Sequence, residues 1–170
     1  MVLVVVIMGF LLVLQFKTIR HAVLILGVVP LATLGGLIAL VVRGDTINIA
    51  TAVGFIALFG VAVQNGIIMI ANIRRVRERH STLAEAVIAG AAERFRPVLL
   101  TATVASIGML PAALATGVGT DVQRGLATVV VGGLIIATVL TLFILPTLYY
   151  ALEGVIEHRD RTRGPEHQHP

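Results

Sequence analysis

The chain has 170 residues, 57% of them hydrophobic and only 13% charged, with no cysteine and no tryptophan. Soluble domains run about 45–50% apolar and about 25% charged, so this composition argues against an ordinary soluble domain and for a bilayer, where the outer face of every helix must also be apolar. The formal net charge is +4, but in a membrane protein the informative quantity is where the basic residues sit; the lack of cysteine excludes disulfides and thiolate metal sites.

The first apolar segment covers residues 2–16. At about 1.5 Å per residue it spans roughly 23 Å against a hydrocarbon core of about 30 Å, and it reads as a span cut short at its N-terminal end. A signal peptide is the rival reading. However, no basic region precedes the segment, and no small-residue cleavage site follows before Gln15, Lys17 and Arg20. The second span covers residues 21–42 and contains Pro30, tolerable where neighbouring helices or waters satisfy the freed carbonyl. Arg43-Gly44-Asp45 forms a polar turn. The third span, residues 47–73, is apolar except for Asn48, Thr51, Gln64, Asn65 and Asn72.

Residues 74–96 break the pattern. Arg74, Arg75, Arg77 and Arg79 come first; Thr82 and Glu85 then stand at capping-box spacing. A short amphipathic helix over residues 82–92 is expected on the membrane surface. Arg94 and Arg96 close it, and Pro97 suits the first turn of the fourth span, residues 97–115. After a glycine-rich loop the fifth span covers residues 126–152, with Tyr149 and Tyr150 as interface anchors. Residues 153–170 form a polar tail, expected to be disordered.

Five spans distribute the loops alternately. Lys17, Arg20, Arg74, Arg75, Arg77, Arg79, Arg94, Arg96, Arg159, Arg161 and Arg163 fall on one side, and only Arg43 and Arg124 on the other. The positive-inside rule then puts the C-terminus in the cytoplasm. Gly35-Gly36, Gly54, Gly60, Gly66, Gly108 and Gly132-Gly133 all lie within spans, where small residues let helices approach closely in lipid. The expected fold is all-α: a polytopic membrane bundle of five transmembrane helices plus a short cytoplasmic amphipathic helix.

The order of these features resembles one family. The run from Ala52-Val53-Gly54 to Gln64-Asn65-Gly66 resembles the tenth transmembrane helix of resistance-nodulation-division (RND) efflux transporters, in particular their heavy-metal efflux branch. Glu85-Ala86-Val87, Gly90-Ala91 and Arg94-Phe95-Arg96-Pro97-Val98-Leu99-Leu100-Thr101 resemble that family's cytoplasmic helix and its passage into the eleventh span. Leu110-Pro111, Ala115-Thr116-Gly117, Gln123-Arg124, Gly132-Gly133 and Leu145-Pro146 are similar to the rest, as far as about residue 152.

The resemblance implies the C-terminal membrane part, helices eight to twelve, of a proton antiporter in the bacterial inner membrane. It further implies a homotrimer working with a periplasmic adaptor and an outer-membrane channel, beside the remainder of the permease and the lipid bilayer; nucleic acid is not an expected partner. The exported cargo would be heavy-metal cations. The family's proton-carrying carboxylates and its periplasmic substrate domains have no counterpart in these residues, so this chain alone is expected not to transport.

Four residues become candidate neighbours of the proton path. Gln64 stands where multidrug members resemble one another in a lysine, and copper and silver pumps in a glutamate; it cannot titrate but could hydrogen-bond a carboxylate from the other half, or serve as interhelical glue worth about 1 kcal/mol. Asn65 presents the same choice. Thr101 matches a family threonine, against the simpler reading of a bond to its own backbone. Arg94, like Arg96, matches a family arginine at the cytoplasmic mouth, against simple positive-inside anchoring. Copper and silver pumps place a lysine at the position of Val98, so Gln64 and Val98 lean toward a divalent-ion pump.

No catalytic residue, cofactor or metal site is assigned. Met8, Met69 and Met109 lie on separate spans and read as packing; His158, His167 and His169 lie in the tail. No nucleophile triad, phosphate loop or HExxH motif occurs, so an enzyme is not expected. The alternatives are part of a multidrug RND pump, or a small membrane scaffold subunit that transports nothing.

Overall fold

The computed structural model describes residues 19–117 and 119–162, together with residues 6, 7, 9, 10 and 14; of residues 19 and 157–162 it describes the backbone alone. The expected first span and the end of the tail therefore lie outside the described residues. Regular structure among the described residues is helical: α1 (Ile19–Arg43), α2 (Ile49–Arg77), α3 (Leu83–Leu114), α4 (Asp121–Val139), a π-helical turn (Leu140–Ile144) and α5 (Leu145–Thr162). Four stretches, Arg20–Arg43, Ile49–Arg77, Leu83–Leu114 and Asp121–Ile156, are long and apolar enough to cross a membrane. The architecture is an all-helical membrane bundle.

Local chemistry sets the boundaries. Gly44 takes φ +68° after α1, a left-handed conformation that glycine adopts without Cβ strain. Asn48 then caps α2: its side chain accepts from Thr51 N at 3.0 Å, while Thr51 Oγ1 accepts from Asn48 N at 2.9 Å. Two donors that the helix itself leaves unpaired are thus satisfied reciprocally. Thr82 caps α3, accepting from Glu85 N at 3.3 Å, as the spacing of those residues predicts.

Two expectations are corrected. The segment at residues 82–92 is not a separate surface helix: α3 runs unbroken from Leu83 to Leu114, with Pro97 inside it. The physical reason is phase. Leu83, Val87, Gly90, Val98 and Ala102 are all buried and step by three, four or eight residues, so one continuous helix keeps them on one face. Breaking it at Pro97 would turn one half of that face outward. The last helix also continues past residue 152, to Thr162, because Glu153 is drawn into contacts described below.

α4 is central and packs against α1, α2 and α3. Glycines make the crossings close. A Cβ on Gly35 would lie 3.2 Å from the carbonyl oxygen of Gly132, and one on Gly132 would collide with the Ala39 Cβ. Gly108, by contrast, has open space around it. The core is formed by Ile25, Leu58, Met69, Ile70, Ile73, Leu134 and Leu145. α3 is the least buried of the four spans: Leu99, Leu100, Val104, Ile107 and Leu110 remain exposed.

Candidate functional site

α2 carries the polar pair at mid-helix. Gln64 is exposed and Asn65 half-buried. Neither side chain has a hydrogen-bond partner among the described residues. A polar amide halfway along an apolar membrane helix is costly in lipid and is ordinarily turned toward protein or water.

Thr101 is exposed on α3, and its Oγ1 donates to the Pro97 carbonyl at 2.9 Å, the bond to its own backbone. Arg94 is half-buried one turn before Pro97. No bond joins any two of Gln64, Asn65, Thr101 and Arg94 among the described residues. Among those residues there is also no group of three or more His, Cys, Asp or Glu side chains able to hold a metal ion.

Three polar clusters tie the helices together, and the sequence pattern singled out none of them. At the basic end of α2, Asn72 is buried at 2% exposure. Its Nδ2 donates to the Gly90 carbonyl and to Glu93 Oε2, both at 3.0 Å. Arg75 Nη2 completes the group, donating to Asn72 Oδ1 at 2.8 Å and to Glu93 Oε2 at 3.2 Å. The helices can meet there because residue 90 is glycine: a Cβ would lie 2.8 Å from Ile73 Cα. The cluster therefore fixes the turn of α3 that carries Arg94.

A second cluster joins the same end of α1, α2 and α5. His21 Nε2 lies 3.3 Å from Glu153 Oε1, and Arg77 Nη1 donates to Glu153 Oε2 at 3.4 Å. The His21 ring stacks on Tyr149, with centroids 5.6 Å apart and planes 25° apart. Tyr149 is 2% exposed, so it is a packed core residue, whereas Tyr150 is exposed as an interface anchor would be.

The third cluster lies at the opposite end. Asp45, in the turn between α1 and α2, pairs with Arg124 of α4 and lies 3.5 Å from Arg43 Nε. Thr128 Oγ1 lies 3.5 Å from Asp45 Oδ2, while its proton is given to the Arg124 carbonyl at 2.8 Å. Sequence distance hid these pairs: Asp45 and Arg124 are 79 residues apart. The only local signal was charge at apolar boundaries.

The family model for the AcrB/AcrD/AcrF family matches residues 1–153. The chain is 49% identical over 151 residues to the cobalt-zinc-cadmium resistance protein CzcA of Cupriavidus metallidurans, a match covering 89% of this chain and 14% of that protein. It is 53% identical over 144 residues to the nickel and cobalt resistance protein CnrA of the same organism, covering 85% of this chain and 13% of CnrA. The crystal structure of a heavy metal efflux pump is similar with a TM-score of 0.79 at 62% identity, covering 88% of this chain and 14% of that one. The chain thus spans about a seventh of the length of these relatives. It belongs to the AcrB/AcrD/AcrF family, the resistance-nodulation-division transporters that its sequence resembles.

Proposed function

We propose that these helices form the C-terminal membrane part of a proton-driven RND permease that exports divalent heavy-metal cations across the bacterial inner membrane. The observation that carries this reading is the identity of about half to relatives named for cobalt, zinc, cadmium and nickel resistance, over 85% or more of this chain. The exposed faces support it. Gln64 on α2 and the apolar outer half of α3 offer a polar group and a broad contact surface to further helices, as one membrane half does to another.

In that permease the four described spans are joined by a fifth from residues 2–16, and the basic ends of α2 and α5 face the cytoplasm, as does the C-terminus. Gln64 and Asn65 lie beside the proton path, where Gln64 hydrogen-bonds a carboxylate supplied by the other half. Thr101 lies beside the same path, and Arg94 stands at its cytoplasmic mouth. The partners are the remaining permease, two further copies of it, a periplasmic adaptor and an outer-membrane channel.

The test is a growth assay in an efflux-deficient bacterium expressing the complete permease that contains these helices, with its adaptor and channel. Tolerance to zinc, cobalt, cadmium or nickel, without tolerance to lipophilic drugs, is the expected result. Drug tolerance without metal tolerance moves the chain to the multidrug branch, and no tolerance of either kind removes the export reading.

A further inference from the structure

The π-helical turn at Leu140–Ile144 draws four separate observations together. First, Thr141 sits in it with 0% exposure, and its Oγ1 has no hydrogen-bond partner among the described residues. Other helical threonines of this chain bond back to the carbonyl four residues earlier: Thr33 to Val29, Thr128 to Arg124, Thr138 to Leu134 and Thr147 to Phe143, at 2.7–2.8 Å. Among the buried helical threonines, Thr128 and Thr138 bond four residues back and Thr51 three residues back, to the Asn48 carbonyl; Thr141 makes neither bond, and it is the one inside the widened turn.

Second, the turn is closed by Leu145 N donating to the Leu140 carbonyl, five residues back. Third, Pro146 follows at once. It has no N–H, so it leaves the Leu142 carbonyl unserved in an α register and the Thr141 carbonyl unserved in a π register. A change of register there exchanges one unserved carbonyl for another; it does not break a continuous ladder.

Fourth, there is room to move. An open apolar groove of about 530 Å³ runs beside the turn, lined by Val87, Ile88 and Ala91 of α3 and by Leu142, Phe143 and Pro146. A helix packed on all sides cannot turn about its axis; this one has free space along one flank.

We propose that the Leu140–Ile144 turn is a register switch, with a second state in which the turn closes to α, Thr141 Oγ1 bonds the Ala137 carbonyl, and α5 turns about its axis. One residue of register corresponds to about 100° of rotation and about 1.5 Å of rise. The contacts that hold the π state are those of α5 itself: Tyr149 stacked on His21, and Glu153 against His21 and Arg77. The buried hydroxyl at Thr141 pulls toward the α state, and the cluster around Glu153 pulls toward the π state. π turns inside α-helices recur at functional sites, and this one couples the groove beside α3 to the basic end of the bundle.

The chain has no cysteine, so paired spin labels can be placed without background. Ile88→Cys with Val155→Cys reports across the turn, since both positions are exposed, at 70% and 69%. Ile88→Cys with Ile135→Cys, on the upstream side, is the reference pair. In the full chain in lipid nanodiscs, the first pair is expected to give two distances and the reference pair one. Thr141→Val should lower the minor population about fivefold, the amount one net hydrogen bond allows. Glu153→Gln should raise it by a similar factor. A single distance for the first pair in all backgrounds overturns the proposal. So do two distances that ignore Thr141→Val, which needs no partner elsewhere to fold, or a reference pair that splits in step with the first.

Discussion

Asn72 Nδ2 donates to the backbone carbonyl of Gly90 at 3.0 Å, a bond between helices made where Asn72 is 2% exposed. It works only because the glycine lets α3 approach α2, and it leaves the rest of the Asn72 amide to Glu93 and Arg75. Removing the amide takes the interhelical donor from the buried Gly90 carbonyl and leaves Glu93 Oε2 with Arg75 alone. Asn72→Leu should therefore destabilise the bundle by about 1 to 3 kcal/mol, measured as lost thermal stability in detergent. A variant as stable as the parent would contradict the role assigned to this cluster.

Gly90→Ala tests the same contact from the other side. The added Cβ would meet backbone, Ile73 Cα at 2.8 Å, which cannot rotate away as a flexible side chain can. A loss of about 1 to 3 kcal/mol is expected from overpacking. Gly108→Ala, with nothing near it among the described residues, should be neutral or slightly stabilising, because alanine is the better helix former by about 1 kcal/mol. Equal effects of the two substitutions would argue against the close approach.

Asp45 and Arg124 should be coupled energetically. The Asp45 side chain is 7% exposed and that of Arg124 30%, so truncating the arginine leaves a largely buried carboxylate with only the longer contact to Arg43, at 3.5 Å. Arg124→Gln should cost more stability than Asp45→Asn. The double variant should fall short of the sum by about 0.5 to 3 kcal/mol in a double-mutant cycle. Strict additivity would mean that the pair does not hold α1, α2 and α4 together.

Gln64 separates stability from transport. Because its side chain is exposed in this chain, Gln64→Leu should change the thermal stability of the isolated chain by less than about 0.5 kcal/mol, as surface substitutions do. In the complete permease the same variant should lower metal tolerance, since the proposed carboxylate partner then loses its donor. Thr101→Val gives the contrast: its hydroxyl already bonds the Pro97 carbonyl, so a purely structural role predicts unchanged tolerance and a path-lining role predicts a loss.

The spans were legible because hydropathy is a local property. α1, α2 and the α4–α5 helix lie close to where runs of apolar residues put them, and the Asn48 and Thr82 caps follow from spacing alone. Pro97 misled because a proline at a charge boundary usually opens a helix, while here the buried stripe from Leu83 through Val98 to Ala102 keeps α3 continuous through it. Tyr149 read as an interface anchor, yet it is buried because its stacking partner, His21, comes from the other end of the chain. The π turn left no mark in composition. Thr141 looks like any other helical threonine until its missing bond is compared with those of its neighbours. The polar clusters were invisible for the same reason as the His21–Tyr149 pair: their members meet only when helices pack.

The most direct measurement is a transplant. Residues 1–153, the stretch matched by the family model, replace the corresponding segment of the cobalt-zinc-cadmium resistance protein CzcA. The chimaera is expressed with the CzcA partners in a metal-sensitive bacterium and compared, at equal membrane levels, with intact CzcA and with this chain alone. The account predicts zinc, cobalt and cadmium tolerance from the chimaera and none from this chain alone. A chimaera that inserts and assembles at the level of CzcA yet confers no tolerance, or tolerance conferred by this chain alone, would contradict it.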